Sequence, residues 1–314
     1  MGHRSTTIII YGSAVLLALG SLTATSADTA AAPSTVRGSG SQALCGPGSE
    51  IKFDRSAFPP MPKINNKWFP LKPGMQYLTR GTVKDAVEGT STRTVLHTVT
   101  GLTKLVDGVK TLVMWDRDYS NGELVESELA FFAQTRAGTV WLFGEYPEEY
   151  ENGKLAGAPS TFISGIDKAQ AGIAMQAEPK LNTPAYVQAY APTVDFLDCG
   201  DVFRTNRRVS VPAGSYTGVL EIDEFNPLEG ASAGNQRKFY AAGTGLVKVT
   251  AAGGNSQEFL DLIKITKLTC AQLNRVNNQA LKLDRRGYRV SPDVYAKTPR
   301  AHRAVSSDCH GHDS

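Results

Sequence analysis

Strand-like stretches joined by tight turns constrain this sequence more than any other feature. Val109–Trp115 and Glu123–Ala133 flank the dipeptide Asn121-Gly122, and a second Asn-Gly dipeptide occurs at 152–153. Asn-Gly is favoured in two-residue hairpins because both of its residues tolerate the positive φ that the turn requires. Strands that follow one another through such turns pair antiparallel, since a parallel pair needs a long crossover connection. The sequence therefore predicts an antiparallel β-sheet.

Further stretches of the same kind, and one helix, complete the predicted fold. The other predicted strands are Thr94–Val99, Thr139–Phe143, Tyr216–Glu224, Arg237–Ala241, Gly245–Thr250 and Phe259–Leu268. Thr269 and Gln272 have the spacing of a helix capping box, and apolar residues at helical spacing follow as far as Gly287. Ile163–Leu197 is the least regular stretch and is expected to form a loop over the sheet. We expect a mainly β fold, a curved antiparallel sheet or half-barrel with short hairpins, with one C-terminal α-helix packed on it.

The N-terminus has the pattern of an export signal. Basic His3 and Arg4 precede an apolar stretch, Ile8–Leu19, which is too short to span about 30 Å of hydrocarbon as a helix. Small residues follow, so we predict cleavage after Ala27 and a secreted mature chain without a transmembrane helix. The alternative is an uncleaved anchor. Cys45, the first cysteine, lies too far from the apolar stretch for a lipobox.

Composition divides the chain into four predicted parts. They are a signal peptide (1–27), a flexible leader (28–65), a β-rich domain that includes the helix (66–286), and a basic, partly disordered tail (287–314). Between residues 282 and 303 there are seven basic and two acidic residues. Such a tail could contact anionic cell-envelope polymers, although a solvated end is the simpler interpretation. Nucleic acid is not expected as a partner, because no aromatic residues alternate with the basic ones.

Four cysteines in an exported chain are candidates for disulfides. They are Cys45, Cys199, Cys270 and Cys309. The first and last lie in the segments that flank the β-rich domain, so a bond from either one into the domain would fix a loose end. The sequence does not choose among the three pairings, and free thiols are a further alternative.

Several short motifs resemble a known family. The motifs are Trp68-Phe69-Pro70-Leu71-Lys72-Pro73-Gly74, Val106-Asp107-Gly108-Val109, Gly138-Thr139-Val140-Trp141, and the stretch from Tyr240 to Lys248. They are similar to motifs of the domain-of-unknown-function 3108-like family of exported bacterial proteins, over about Trp68–Leu268. The resemblance implies a β-rich domain. Its motifs are turn glycines and core aromatic residues, so it implies no catalytic residue.

Most enzyme classes lack the residues they need. His97 is the one histidine between the predicted signal peptide and residue 302, and it shares a strand face with Val95 and Val99. This favours a hydrogen-bonded core histidine, and without further histidines or a Gly-x-Ser-x-Gly motif it argues against zinc and serine hydrolases. No cofactor is predicted. Asp116, Asp118 and Ser120 are weak metal candidates with the spacing that begins a calcium loop, but a hairpin turn explains them more simply.

Two functional hypotheses remain. The first is a non-enzymatic binding or cell-envelope-associated module for an apolar or glycan ligand, which aromatic residues on the concave face of the sheet would contact. These residues are Trp68, Phe131, Trp141, Phe143 and Tyr240, and the alternative is that they fill the core. The second is an extracellular, glycosidase-like hydrolase that uses Glu145 with a neighbouring carboxylate such as Glu148.

Overall fold

The structure, a computed structural model, describes residues 43–230 and 232–304. The predicted signal peptide and the end of the predicted tail lie outside these residues. Within them the chain forms one α-helix, α1 (Cys270–Val290), short 3₁₀-helices at Arg55–Ala57, Pro192–Val194 and Tyr295–Lys297, and 17 strands. The strands are β1 (Ile64–Asn65), β2 (Pro70–Leu71), β3 (Met75–Asp85), β4 (Gly89–Val106), β5 (Val109–Ser120), β6 (Glu123–Gln134), β7 (Val140–Glu151), β8 (Lys154–Gly157), β9 (Phe162–Ile163), β10 (Gln170–Met175), β11 (Tyr186–Ala191), β12 (Phe196–Val211), β13 (Gly214–Phe225), β14 (Asn235–Ala241), β15 (Gly245–Ala252), β16 (Ser256–Lys267) and β17 (His302–Arg303).

Twelve strands form a closed antiparallel barrel. Hydrogen bonding runs in the order β10-β11-β12-β13-β14-β15-β16-β3-β4-β5-β6-β7, and β7 pairs back to β10. The mainly β, antiparallel prediction is confirmed. The prediction of an open half-barrel is wrong, because Gly172 and Ile173 of β10 lie opposite Leu142 and Trp141 of β7 and close the sheet.

The closing strands come from the stretch that was expected to form a loop. β10 and β11 both carry register shifts, between Ile173 and Met175 and between Val187 and Ala189, and these interrupt the alternation that marks a strand in a sequence. Gly172 lies so close to β11 that an added Cβ would be 2.4 Å from the carbonyl oxygen of Val187. A glycine at position 172 is therefore needed for this pairing.

The predicted hairpin turns are confirmed. Asn121 and Gly122 join β5 to β6 with φ values of 49° and 87°, and Asn152 and Gly153 join β7 to β8 with φ values of 51° and 72°. Positive φ at both central residues is what an Asn-Gly hairpin turn requires.

The predicted helix and its capping box are confirmed, but the helix is longer than expected. The Thr269 side chain accepts from the Gln272 backbone, and the Gln272 side chain accepts from the Thr269 backbone. Gly287 does not end α1, which continues to Val290. An added Cβ on Gly287 would be 2.6 Å from the Tyr295 ring, so this glycine lets the following segment pack against the helix.

An outer layer covers one side of the barrel. Helix α1 and the N-terminal segment pack on outward side chains of β4 to β7 and form a large apolar core with them. Phe53 and Phe58 of that segment contact the rings of Trp141 and Phe143, at centroid distances of 5.3–6.2 Å. Residues 43–65, which were expected to be a flexible leader, are thus part of the folded domain.

The flanking segments are fixed at both ends. Cys45 forms a disulfide with Cys199 of β12, one of the pairings that the sequence left open. Cys270 is not a free thiol, and Cys309 lies outside the described residues. Residues beyond 286 continue the helix and then return along the barrel, where β17 pairs with β4. No helix in the described part of the chain is long and apolar enough to cross a membrane.

One end of the barrel is closed by the β1–β2 hairpin. The Asn66 side chain donates to the carbonyl oxygens of Gly138 (2.9 Å) and Gln176 (3.0 Å), and the Gln134 side chain accepts from the backbone of Asn65 and Asn66. These bonds hold the following residues, Trp68 to Leu71, at the end of the barrel.

Candidate functional site

A cavity of about 130 Å³ lies inside the barrel. Eleven of the twelve barrel strands, all except β16, contribute lining residues, which places the cavity in the lumen. Its apolar lining comes from β2 and its preceding residue at the barrel end and from inward side chains of the barrel strands. These residues are Phe69, Pro70, Leu71, Tyr77, Met114, Ala130, Phe132, Leu142, Ala174, Tyr240 and Leu246.

The polar part of the lining is rich in acids. Its side chains are Asp116, Glu128, Glu145, Asp198, Glu224, His97, Lys238 and Gln188. Five carboxyl groups therefore share the lumen with two groups that can carry positive charge. Strand register explains part of this crowding, because Asp116 of β5 lies directly opposite Glu128 of β6. Like charges placed opposite each other destabilise a sheet, so this arrangement has a cost.

Two of the five carboxyl groups are paired with a cation. Lys238 forms an ion pair with Glu224, which also accepts a hydrogen bond of 3.0 Å from the Gln188 amide. His97 Nδ1 lies 2.9 Å from Asp116 Oδ2, with 13% of the His97 side chain exposed. Burial lowers the pKa of His97, but Asp116 and, more weakly, Asp118 together raise it above its usual value. The histidine that was expected to be a hydrogen-bonded core residue is therefore mostly buried beside an acid, at the cavity and not in the apolar core.

The other three carboxyl groups lack a partner of this kind. Glu128 and Glu145 are 4% and 5% exposed, and neither has a hydrogen bond or ion pair among the described residues. Burial, then the surrounding acids, raises the pKa of both well above the usual range. Burial also raises the pKa of Asp198 to about 8, with the charge of Glu224 as the next cause. These shifts favour the protonated form of all three groups.

A second acidic layer lies beside the first, around Arg93. Arg93 forms an ion pair with Asp118, and its Nε lies 3.6 Å from Glu258. Glu126 of β6 lies opposite Asp118 of β5 and opposite Glu149 of β7. Burial raises the pKa of Asp118 to about 7, and it raises the pKa of Glu126 well above the usual range of a glutamate. The acidic character thus extends along the lumen beyond the cavity lining.

Acceptors without donors remain in the lumen. Gln188, which is 7% exposed, has a buried Oε1 with no hydrogen-bond partner, and so does Asp116 at Oδ1. Buried polar atoms are normally satisfied, so each of these acceptors is suited to a donor that the described chain does not provide.

The aromatic residues predicted to bind a ligand are divided between the two faces of the sheet. Tyr240 lines the cavity, and Trp68 is partly buried against the adjoining core. Phe131, Trp141 and Phe143 belong to the apolar core under α1 and the N-terminal segment, so they do not line the cavity. Phe132 and Leu142, which are next to them in the sequence, line the cavity instead, because successive residues of a strand point to opposite faces.

The two glutamates of the hydrolase hypothesis are not brought together. Glu145 faces the cavity, whereas Glu148, three residues along the same strand, belongs to a buried polar cluster on the outer side. Arg286 of α1 forms an ion pair with Glu148, and the hydroxyls of Tyr146 and Tyr150 donate to it at 2.6 and 2.7 Å. Glu148 therefore anchors the helix and is not available beside Glu145.

Asp116, Asp118 and Ser120, the weak metal candidates, have other positions and contacts in the structure than a shared metal site would need. Asp116 and Asp118 both point inward, but they lie beside His97 and Arg93 respectively. Ser120 ends β5 at the hairpin turn. Within residues 43–230 and 232–304, no group of three or more His, Cys, Asp or Glu side chains is placed to hold a metal ion.

Sequence reasoning missed most of the polar lining. Glu128, Gln188, Asp198 and Lys238 were not singled out. For β6 a signal was present, because Glu126 and Glu128 alternate with Val125, Ser127 and Leu129 as the side chains of one strand face do. No local signal marks Gln188, which lies in the stretch that was expected to form a loop, or Asp198, which directly follows that stretch.

Among solved structures, two are similar to this chain at a low level. One is a protein described as exported, with a YmcC-like fold, from Bacteroides fragilis, with 14% identity over 64% of this chain and 100% of that chain and a TM-score of 0.37. The other is a protein described as a lipoprotein from Parabacteroides distasonis, with 13% identity over 64% of this chain and 99% of that chain and a TM-score of 0.33. No family model and no curated protein matches the chain. At these scores neither likeness assigns a family or a function, and the resemblance to the domain-of-unknown-function 3108-like family stays a prediction.

Proposed function

We propose that this protein is an exported, non-enzymatic binding protein that holds a small ligand with an apolar part inside its barrel. The observation that carries the proposal is the lumen cavity of about 130 Å³ with a mainly apolar lining. An apolar cavity of about 150 Å³ in a protein core can hold a benzene molecule. The enclosed part of the ligand is therefore about the size of six non-hydrogen atoms.

Export rests on two observations. The first is the N-terminal sequence, with its short apolar stretch and small residues before the predicted cleavage after Ala27. The second is the disulfide between Cys45 and Cys199, since disulfides persist in oxidising compartments. Contact of the basic C-terminal residues with anionic envelope polymers is a separate proposal, and part of that charge is already used, as in the ion pair between Arg286 and Glu148.

An apolar ligand fits better than a glycan. Phe69, Phe132 and Tyr240 lie together at the barrel end, with ring centroids 5.4 and 6.2 Å apart. The side chains around them are aliphatic, so most surface that a ligand meets there is apolar. A sugar would leave many hydroxyls unpaired against such a surface, and that costs binding energy.

Methionine methyl NMR can test occupancy of the lumen at one site. Met114 lines the cavity, whereas Met61 is 47% exposed and is not among its lining residues. With ¹³C-methyl-labelled methionine, titration with 1-hexanol should shift the Met114 signal in a saturable way and leave the Met61 signal in place.

A cavity-filling variant provides the control. Ala174 lines the cavity, so Ala174→Leu should occupy part of it and weaken 1-hexanol binding at least tenfold. Ala86→Leu makes the same change at an exposed turn and should leave binding unchanged. If the Met114 signal does not move, or if Ala174→Leu binds as the parent does, the lumen is not an apolar binding site.

A further inference from the structure

We infer that the ligand carries a cationic amine group, which enters the acidic part of the lumen beside Glu128, Glu145 and Asp198. This inference rests on the proposed function, because it concerns one end of a ligand whose apolar part occupies the same cavity. It assigns the ligand to a chemical class, small amphiphilic amines, and it assigns the recognition of that class to three named carboxyl groups.

The charge balance of the lumen is the first argument. Of the five carboxyl groups that line the cavity, Glu224 is paired with Lys238 and Asp116 with His97. Three carboxyl groups then remain, and the described lining contains no further basic side chain for them. One added positive charge would reduce the excess.

The second argument is that Glu128 and Glu145 are buried without partners, whereas Asp198 is half-buried and accepts a hydrogen bond from the Cys199 backbone. Glu128 and Glu145 are more than nine-tenths buried, and they line a cavity and do not pack against apolar side chains alone. Burying an ionised group without a partner is costly, and a buried carboxyl group that keeps its proton still leaves acceptors unused. Gln188 Oε1 is one more unpaired acceptor in the same lining.

The donor and acceptor pattern selects an ammonium group. An ionised carboxylate only accepts hydrogen bonds, whereas a primary ammonium group offers three donors and no acceptor, so binding of the amine favours the ionised form of these acids. A hydroxyl group offers one donor and brings lone pairs that these acceptors cannot satisfy. A ligand carboxylate would be repelled. Hydrogen bonds between charged groups are also stronger than neutral ones, so the amine gains more than an alcohol of equal length.

Three ligands of matched length test this inference. Hexylamine, 1-hexanol and hexanoate share their apolar part and differ in charge. At pH 7.5, isothermal titration calorimetry with the full mature chain should give a dissociation constant for hexylamine at least tenfold below that for 1-hexanol, and no detectable binding of hexanoate. All three titrations should be followed at the Met114 methyl signal as well, so that binding elsewhere on the protein is not counted.

Protonation gives an independent readout. Because burial raises the pKa of these acids, binding of a cation should favour their ionised form and release protons, and binding of 1-hexanol should not. Titrations in two buffers with different ionisation enthalpies measure this difference. The other charged groups of the lining are His97, Asp116, Lys238 and Glu224, and outside the lining Glu126 and Asp118 act on Glu128 and Glu229 acts on Asp198.

Isosteric variants assign the effect to residues. The double variant Glu128→Gln, Glu145→Gln should bind hexylamine no more tightly than 1-hexanol, while its affinity for 1-hexanol stays within about twofold of the parent. Glu123→Gln, at the exposed start of the same strand β6, is the matched control and should bind as the parent does. If the double variant does not fold, the single variants and the proton release of the parent protein decide.

The outcomes separate the two proposals. If 1-hexanol shifts Met114 but hexylamine binds no more tightly, this inference is overturned and the apolar site stands. If hexylamine binds tightly to the double variant, or without releasing protons, the three acids do not recognise it and the inference is overturned as well. If neither ligand shifts Met114, the proposed function fails first.

Discussion

Removing the charge of Asp284 should loosen the attachment of helix α1 to the barrel. Lys104 of β4 is fully buried, and its ammonium group donates to Asp284 Oδ1 (2.9 Å), the hydroxyl of Tyr288 (3.1 Å) and the carbonyl oxygen of Pro299 (2.8 Å). Tyr295 donates to the same Asp284 oxygen at 2.7 Å. Asp284 of α1 thus binds a fully buried cation of the barrel and joins the barrel to its outer layer.

The size of the effect follows from this burial. Breaking a buried ion pair by removing one partner costs about 3–5 kcal/mol, because the other charge stays buried without compensation. Asp284→Asn keeps an acceptor in place, so we expect a loss near the lower value, about 3 kcal/mol. For a domain of this size each kcal/mol corresponds to roughly 2–4 °C, so the melting temperature should fall by about 6–12 °C.

The loss should depend on pH in a specific direction. Burial lowers the pKa of Lys104, and Asp284 opposes that shift. In Asp284→Asn the opposing charge is absent, so the pKa of Lys104 falls further and the amine can lose its proton at alkaline pH. Since a folded pKa below the unfolded value penalises the native state at lower pH, the variant should be less destabilised at pH 9 than at pH 6.

Urea unfolding followed by tryptophan fluorescence measures these differences. The double variant Lys104→Met, Asp284→Asn removes the buried charge but keeps the acceptor for Tyr295, so it should be more stable than Asp284→Asn alone by at least about 1 kcal/mol. The role assigned to Asp284 is wrong if Asp284→Asn lowers the free energy of unfolding by less than about 1 kcal/mol, or if adding Lys104→Met destabilises the protein further.

Two other features give predictions that can be tested in the same way. The disulfide between Cys45 and Cys199 joins residues 154 positions apart, so the double variant Cys45→Ser, Cys199→Ser should lower the free energy of unfolding by about 2–5 kcal/mol. Hydrogen exchange should rise first in residues 43–65. Unchanged exchange there would show that packing alone holds the segment. Asp198 has a folded pKa of about 8, above its ordinary value of 3.8, so its protonated form stabilises the native state at low pH and this contribution is lost as the pH rises toward 8. The stability of Asp198→Asn relative to the parent should therefore rise by about 1 kcal/mol or more between pH 5 and pH 8 in urea titrations, and parallel pH profiles would contradict the assigned burial.

Local signals in the sequence were sufficient for the hairpins and the helix. Asn121-Gly122 and Thr269 act on their immediate neighbours, so their effect can be predicted from a few residues. Closure of the barrel depends instead on the pairing of β10 with β7, which are joined by a long and irregular connection. Bulges in β10 and β11 hide their alternation, and the role of Gly172 becomes visible only beside the backbone of β11.

The candidate site was only partly predictable because strands β5 to β7 are buried on both faces. In a simple sheet, polar side chains mark the solvent face and aromatic side chains mark the core or a ligand site. Here α1 and the N-terminal segment cover the outer face, so the outward residues Phe131, Trp141 and Phe143 are apolar. The inward residues surround a cavity, so Glu128 and Glu145 can be acidic although they are buried.

The outward side chains of the barrel are apolar and the inward ones include acids, and this arrangement connects the fold to the proposed chemistry. Because the outer layer buries the apolar outward side chains, the lumen can hold polar and charged side chains that would be costly to bury in an ordinary apolar core. Asp116 and Glu128 lie directly opposite each other, an arrangement that costs stability when both are ionised. Glutamine at position 128 or 145 would keep the shape without that repulsion. A cation bound inside the barrel would remove the same cost while the acids stay in place, and on this ground we propose ligand recognition as the role of the lumen acids.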